Sequence, residues 1–427
     1  MKKFPYPIIF FLLLVSCTYN NDFSEDLLES KDISTLPQKN SIRSIDEAIA
    51  ITMHSLPLIE RGSTRAGGIL KRKINVKEGV KTIVSNNTTR SLIGDNDTLM
   101  YVLNFEDNEG FAVIAAPNSV EGLLAITESG HFEPGTSSDN EGFEMFMELA
   151  EKYVRQRIHE PIIHLVDSVI YVGELDYGPY VSVRWGQTLP EGEFCPNNIA
   201  GCTNTALAQI MSYYEYPNRI DLTYPNADKT SQLLNWSSMK VHQTEHNLNN
   251  CATTDSATHA SIGRLCRQLG YLNHSDYMDD GTGTYTQIYV AQTMASLGFQ
   301  TGSWFSYNTG LIENNILSGI PMLIKGARYG ENNNLIGHAW VLDGYNIITY
   351  QYCTIAHLYG TGETWIDSLG DVFTETLYHF NWGFYGVNNG YFDAYVFNTA
   401  SVQYPDTNLN YYMRNYQYDI SLIPIWQ

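Results

Sequence analysis

The stretch Gly201-Cys202-Thr203-Asn204-Thr205-Ala206-Leu207-Ala208-Gln209-Ile210-Met211 constrains the fold more than any other part of the chain. Ala206, Leu207, Ile210, Met211 and Tyr214 recur at helical spacing, which predicts a helix with one buried stripe. Thr203 or a nearby polar residue is expected to form its first end. Cys202 would then lie beside unpaired amides and the positive end of the helix dipole, and both favour a thiolate. Gly201, lacking a side chain, lets backbone or a ligand approach closely. A buried structural cysteine is the alternative reading. Far along the chain, Gly337-His338-Ala339-Trp340-Val341-Leu342-Asp343-Gly344-Tyr345 has an extended pattern, and Tyr378 to Phe397 suggests further strands and turns. With helix and strand candidates both present, the expected fold class is α+β.

The remaining chain divides by pattern. Its 427 residues exceed the usual size of one domain, and a 43% hydrophobic fraction can fill substantial cores. A formal net charge of −21 argues against non-specific binding to nucleic acid or anionic membranes. Residues 1–17 read as a lipoprotein-type signal: Lys2 and Lys3 precede an apolar run from Ile8 to Val15, too short to span a bilayer. Leu14-Val15-Ser16-Cys17 resembles a lipobox, so export with a lipid anchor through Cys17 is expected, a simple secretory signal being the alternative. Residues 18–40 read as a polar tether and 41–165 as a small α+β prodomain. In that unit Ser44 and Glu47 form a capping box, followed by Ile45, Ala48, Ile49 and Met53 at helical spacing. Met100 to Phe105, Gly110 to Ala116 and Leu123 to Ile126 are strand candidates, and a helix with Phe146, Leu149, Ala150, Val154 and Ile158 available for burial follows. Residues 166–180 read as a bridge or processing region and 181–427 as the domain carrying the chemistry.

Within that domain, His338 can present one ring nitrogen to the Cys202 thiol while an acceptor orients the other. The two lie 136 residues apart, as two lobes brought together would allow. A structurally hydrogen-bonded histidine is the alternative. His379-Phe380-Asn381-Trp382-Gly383-Phe384 supplies Asn381, whose side-chain oxygen can accept from the imidazole, and Trp382, which can shield that contact. In Val183-Arg184-Trp185-Gly186-Gln187, the Gln187 amide and the Cys202 backbone N–H can stabilise a developing oxyanion, unless Gln187 only braces its loop. The Asn332-Asn333-Asn334 loop borders the cleft or faces solvent. No metal or organic cofactor has a role: Cys195 and Cys202 form no short C-x-x-C pair, and no second pair follows. Cys195, Cys202, Cys251, Cys266 and Cys353 cannot all pair within one chain, so at least one serves another purpose.

These separated motifs, in this order, resemble the streptopain-like cysteine protease family. The resemblance implies a papain-like two-lobed catalytic domain preceded by an inhibitory propeptide. It makes Cys202 the nucleophile, His338 the base, Gln187 the oxyanion donor, and Asn381-Trp382 the support of the histidine. It also implies a preference for an apolar residue two positions before the cleaved bond. Tyr101-Val102-Leu103-Asn104-Phe105 and Gly110-Phe111-Ala112-Val113-Ile114-Ala115 resemble the paired strands of the family's propeptide. The sequence departs from the family after Asn381-Trp382-Gly383, where a tryptophan-containing glycine-rich run is replaced by Phe384-Tyr385-Gly386-Val387. The expected partners are protein or peptide substrates and the chain's own prodomain. A cell-wall peptide amidase and a protease-fold surface binding protein without turnover are the competing functions.

Overall fold

A computed structural model of the chain describes residues 42–63, 72–74, 79–84, 98–117, 120, 122–136, 139–157, 168–244, 255–279, 281–329, 335–357, 364–397 and 420–427. The signal-type segment with Cys17, the tether, Ile158, Cys251 and the Asn332–Asn334 loop lie outside the described residues.

The capping box at Ser44 is present. The Glu47 amide donates to Ser44 Oγ at 3.2 Å, and the Ser44 amide donates to Glu47 Oε2 at 2.6 Å. It starts α1 (Ile45–Ser63), whose buried face differs from the expected one. Ile45 and Met53 are 40% and 47% exposed, whereas Ala48, Thr52, Ser55 and Leu56 are buried. Two hydroxyls can face the core because Thr52 and Ser55 donate to the carbonyls of Ala48 and Ile51, each at 2.9 Å. Four strands follow, β1 (Val80–Val84), β2 (Thr98–Asn104), β3 (Phe111–Ala115) and β4 (Leu123–Thr127), and then α2 (Glu141–Arg157). Asn140 caps α2, its Oδ1 accepting from the Phe143 amide at 3.1 Å.

The segment expected to bridge the two parts is largely strand β5 (Ser168–Tyr177). Beyond it come α3 (Cys202–Tyr214) and the hairpin β6 (Arg219–Asp221) and β7 (Ser231–Leu233). Next are α4 (Trp236–Thr244), α5 (Ser256–Leu272), the hairpin β8 (Asp276–Met278) and β9 (Gly281–Gly283), and α6 (Thr286–Ser296). The C-terminal part adds β10 (Gln300–Thr301), β11 (Phe305–Ser306), α7 (Thr309–Leu317) and β12 (Met322–Tyr329). It ends with β13 (Leu335–His357), β14 (Thr364–Asn381), β15 (Gly390–Asp393) and β16 (Ser421–Trp426). β13 and β14 form a long hairpin, and β5 pairs with β13 from Tyr177 opposite Tyr345 to Ser168 opposite Cys353. An unpaired β13 would leave a long row of backbone donors and acceptors unmet, which explains why the bridge is extended and paired.

One antiparallel sheet runs through both parts of the chain, in the order β1-β2-β3-β4-β15-β14-β13-β12-β16-β10. The seam is β4 against β15, with Ile126 opposite Tyr391 and Thr127 opposite Gly390. Strands near the centre are apolar on both faces because both are covered. Leu323, Ala339, Val341, Ile423 and Ile425 pack with residues of α3, α4, α5 and α6. Their neighbours Ile324, Trp340, Leu342 and Leu422 pack with Phe143, Phe146, Leu149 and Val154 of α2. A third cluster sets Ala48 and Leu56 of α1 against Leu103, Ile114, Ile126, Leu377 and Tyr391. The result is a mixed helix-and-sheet fold in which α2 shares the aromatic core beneath His338.

Candidate active site

Cys202 opens α3, and the geometry before it explains why glycine precedes it. Gly201 has φ 88° and ψ 143°, in the region that strains residues with a Cβ. A Cβ there would also lie 2.9 Å from Thr282 Cγ2. No side chain caps this helix. The expected cap, Thr203, instead pairs its hydroxyl with that of Thr286 at 3.0 Å, so the first-turn amides remain available to the thiol. The one-sided stripe also proves too narrow. Every residue from Thr203 to Ser212 is buried because α3 lies between the sheet and α5, and only Tyr214 at the end of the predicted stripe is half-buried. Several of its polar side chains donate internally: Asn204 to Ala200 O at 2.8 Å, Thr205 to Gly186 O at 2.9 Å and Gln209 to Asn381 Oδ1 at 3.0 Å.

His338 comes from β13, directly opposite Gly326 of β12, and is 4% exposed. Its Nε2 lies 2.9 Å from the Trp382 carbonyl oxygen. A carbonyl only accepts, so Nε2 carries the proton and the other ring nitrogen is left for the Cys202 thiol, which hydrogen-bonds the imidazole. Burial pushes the thiol up, but the hydrogen bond and charge of His338 and the Ala339 and Thr203 amides outweigh it, leaving the thiol below its ordinary value. Burial likewise pushes the imidazole down. The hydrogen bond and charge of Cys202, the Trp382 carbonyl and the charge of Glu141 outweigh that, so His338 stands above its ordinary value. The opposed shifts each favour the charged form of the two groups.

Asn381 does not fill the expected role. Its Oδ1 accepts from Gln209 Nε2 at 3.0 Å and from the Gly383 amide at 3.2 Å, while its Nδ2 donates to Val183 O at 2.8 Å. The side chain is committed to α3 and to the segment before Gln187, and the backbone carbonyl of the next residue orients the histidine. Trp382 is fully buried against Trp340, Phe380 and Phe392, with ring centroids 5.0, 5.2 and 5.3 Å away. Gln187 is half-buried, and its carbonyl accepts from the Ala200 amide at 2.7 Å, which ties it to the approach to Cys202. Its side-chain amide makes no hydrogen bond among the described residues. Cys195 and Cys266 are buried free thiols that burial holds above the ordinary thiol value, whereas Cys202 stands below it.

Two features escaped the reading of the sequence. The first is the approach of α2. A Cβ on Gly142 would lie 2.5 Å from Trp382 Cε3 and Cζ3 and 2.7 Å from His338 Cδ2, so the first turn of α2 rests directly on the site. A glycine inside a helical pattern is the signal that could have marked this close approach. The second is a buried charge network on His379. Its Nδ1 lies 2.7 Å from Asp343 Oδ1, and its Nε2 makes a 3.6 Å ion pair with Glu128 Oε1 at the end of β4. Arg184 holds the other Glu128 oxygen at 2.8 Å. Burial opposes both charges, yet Asp343 and Glu128 hold His379 up at about 10, while His379, Arg184 and Arg72 hold Glu128 down at about 2. Among the described residues, no three His, Cys, Asp or Glu side chains converge as a metal-binding group.

Comparison with known proteins adds family identity to this geometry. Residues 182–392 match the Peptidase C10 family and residues 45–154 match the Spi protease inhibitor. The thiol protease/hemagglutinin PrtT of Porphyromonas gingivalis is 21% identical over 72% of this chain, which spans 35% of that relative's length. Streptopain of Streptococcus pyogenes serotype M1 is 22% identical, over 85% of this chain and 87% of its own. Among solved structures, a prointerpain A fragment of Prevotella intermedia is 18% identical with a TM-score of 0.48, covering 80% of this chain and 98% of that one. Active interpain A from the same organism is 19% identical with a TM-score of 0.36, covering 58% and 94%.

Proposed function

We propose, for a chain that carries a Peptidase C10 family domain behind a Spi protease inhibitor domain, that it is a cysteine endopeptidase made as a zymogen. The observation that carries this reading is the contact between Cys202 and His338, with the thiol shifted down and the imidazole up against the opposing effect of burial. His338 takes the thiol proton, and Cys202 attacks the scissile carbonyl carbon. The Gln187 side-chain NH₂ and the Cys202 backbone N–H stabilise the oxyanion. Protonated His338 then gives its proton to the departing amine, and water hydrolyses the thioester with histidine assistance. Trp382 keeps the imidazole in the Nε2–H tautomer through its carbonyl. Asn381 acts one step removed, by holding Gln209 and Val183.

The substrates are unfolded polypeptides or exposed loops, with an apolar residue two positions before the cleaved bond. Latency follows from α2: Gly142 lies on His338 and Trp382 where a scissile peptide would approach, and β4 continues the sheet of the catalytic part. Tethering maintains that cover without exceptional intrinsic affinity. Export and lipid attachment through Cys17 complete the proposal, resting on the Lys2-to-Cys17 pattern. The test is a time course of an unfolded protein with processed wild type and Cys202→Ala, read by mass spectrometry. Internal peptide-bond cleavage by the folded wild type alone is expected. Cleavage by both, or by neither under reducing conditions across pH, would overturn the assignment.

A further inference from the structure

Among the described residues nothing hydrogen-bonds the Gln187 side chain, so its direction is set by the backbone from Trp185 to Leu189. One side of that backbone is fixed by α3 and its approach. Gln209 Nε2 donates to Trp185 O at 3.2 Å, Thr205 Oγ1 to Gly186 O at 2.9 Å and the Ala200 amide to Gln187 O at 2.7 Å. On the other side the Gly186 amide donates to the buried Glu191 Oε1 at 3.1 Å and the Gly192 amide donates to Thr188 O, and Tyr385 adds further contacts. The Thr188 amide donates to the Tyr385 hydroxyl at 2.8 Å, the Thr188 and Tyr385 hydroxyls are 2.5 Å apart, and Tyr385 OH reaches Leu189 O at 3.4 Å. Its ring presses on the backbone as well, since a Cβ on Gly186 would lie 2.1 to 2.4 Å from three ring carbons. Tyr385 takes this position in the left-handed region, at φ 55°, where side chains are disfavoured. Hydrogen bonds from Val387 N to Phe384 O at 2.8 Å and from Asn389 N to Gly386 O at 3.2 Å hold the turn around it. The same turn follows Trp382, whose carbonyl orients His338.

We infer that Tyr385 is a positioning residue for the oxyanion site, its ring on Gly186 and its hydroxyl on Thr188 fixing the backbone that aims Gln187. The inference rests on the reading of Gln187 as an oxyanion donor. The Tyr385 hydroxyl meets Thr188 and Leu189, on the segment that carries Gln187, so the role assigned to it is on the developing charge and leaves formation of the nucleophile alone. It belongs to the Phe384-Tyr385-Gly386-Val387 run, where the sequence departs from the pattern of the family it resembles.

The test uses the processed enzyme with Tyr385→Phe, Gln187→Ala and the double variant, assayed for peptide hydrolysis and for alkylation of Cys202 by iodoacetamide. Tyr385→Phe should lower kcat about 10-fold, the scale of one lost hydrogen bond, with KM changed less than about 2-fold. Its alkylation rate should match wild type. Gln187→Ala should lower kcat by roughly 100- to 1,000-fold, and adding Tyr385→Phe to it should cost nothing further. Thr188→Val, which removes the partner hydroxyl, should show the same coupling if Tyr385→Phe does not fold. A wild-type kcat for Tyr385→Phe, or a loss retained in full without Gln187, overturns the positioning role. A wild-type kcat for Gln187→Ala overturns instead the oxyanion reading beneath it.

Discussion

Replacing Gly142 by alanine should release the enzyme from its own prodomain. The added methyl would lie 2.5 Å from two Trp382 ring atoms and 2.7 Å from His338 Cδ2, roughly an ångström inside normal carbon contact. Trp382 cannot yield, being fully buried among Trp340, Phe380 and Phe392. The first turn of α2 must therefore move, and overpacking of this kind costs about 1–3 kcal/mol. Alanine is the better helix former and returns up to about 1 kcal/mol. Overpacking wins, because displacing α2 also loosens Phe143 and Phe146 from the aromatic core. A net cost of about 1–2 kcal/mol corresponds to roughly 5- to 30-fold more of the uncovered state. The assay is turnover of a fluorogenic peptide by freshly purified, unprocessed chain, Gly142→Ala against wild type. Melting of each in a Cys202→Ala background checks the fold. Equal turnover by two correctly folded, unprocessed chains would refute the idea that this turn covers the site.

Three further outcomes follow from the same contacts. Asn381→Ala removes the acceptor of one Gln209 N–H, which keeps its bond to Trp185 O, and the donor to the Val183 carbonyl, so it should cost about 1–3 kcal/mol of stability, while kcat of the folded enzyme stays within about 3-fold; a large kcat loss at unchanged melting temperature would restore the direct role read from the sequence. Glu128 is held at about 2 in the fold against 4.5 ordinarily, so its stabilisation is complete above 4.5 and is lost as pH falls toward 2. Melting of the Cys202→Ala precursor should track that loss, and Glu128→Gln should flatten it. His379 is held at about 10 against 6.5, so its contribution is complete below 6.5 and fades as pH rises through about 10, a loss that His379→Ala should abolish.

The parts of this site that were legible in the sequence are those written in side-chain spacing. The apolar recurrence after Cys202 gave α3, the run around Trp340 gave an extended segment, and Ser44 with Glu47 gave a capped helix. What was not legible depends on backbone atoms or on tertiary approach. The acceptor that orients His338 is a carbonyl, which every residue has, so Asn381 drew attention through a side chain that is in fact engaged by Gln209. Thr203 looked like a helix cap, but Thr286, far along the chain, claims its hydroxyl. The segment Ser168–Tyr177 contains Val169, Ile170, Tyr171, Val172 and Leu175, a strand-like composition, but its partner β13 becomes apparent only once the hairpin is assembled. Gly142 and the Glu128–His379 pair likewise gain meaning only when the prodomain lies on the catalytic part.

The pairing of Cys202 with His338 is tested most directly by the pH dependence of Cys202 alkylation in the processed enzyme, followed by mass spectrometry for wild type and His338→Ala. The thiol lies below and the imidazole above its ordinary value, so wild type should react rapidly well below the pH at which free cysteine ionises, about 8.5. His338→Ala should lose that reactivity near neutrality and regain it only as pH rises past the ordinary thiol range. Superimposable profiles for the two folded proteins would contradict the pairing and the hydrolytic chemistry built on it.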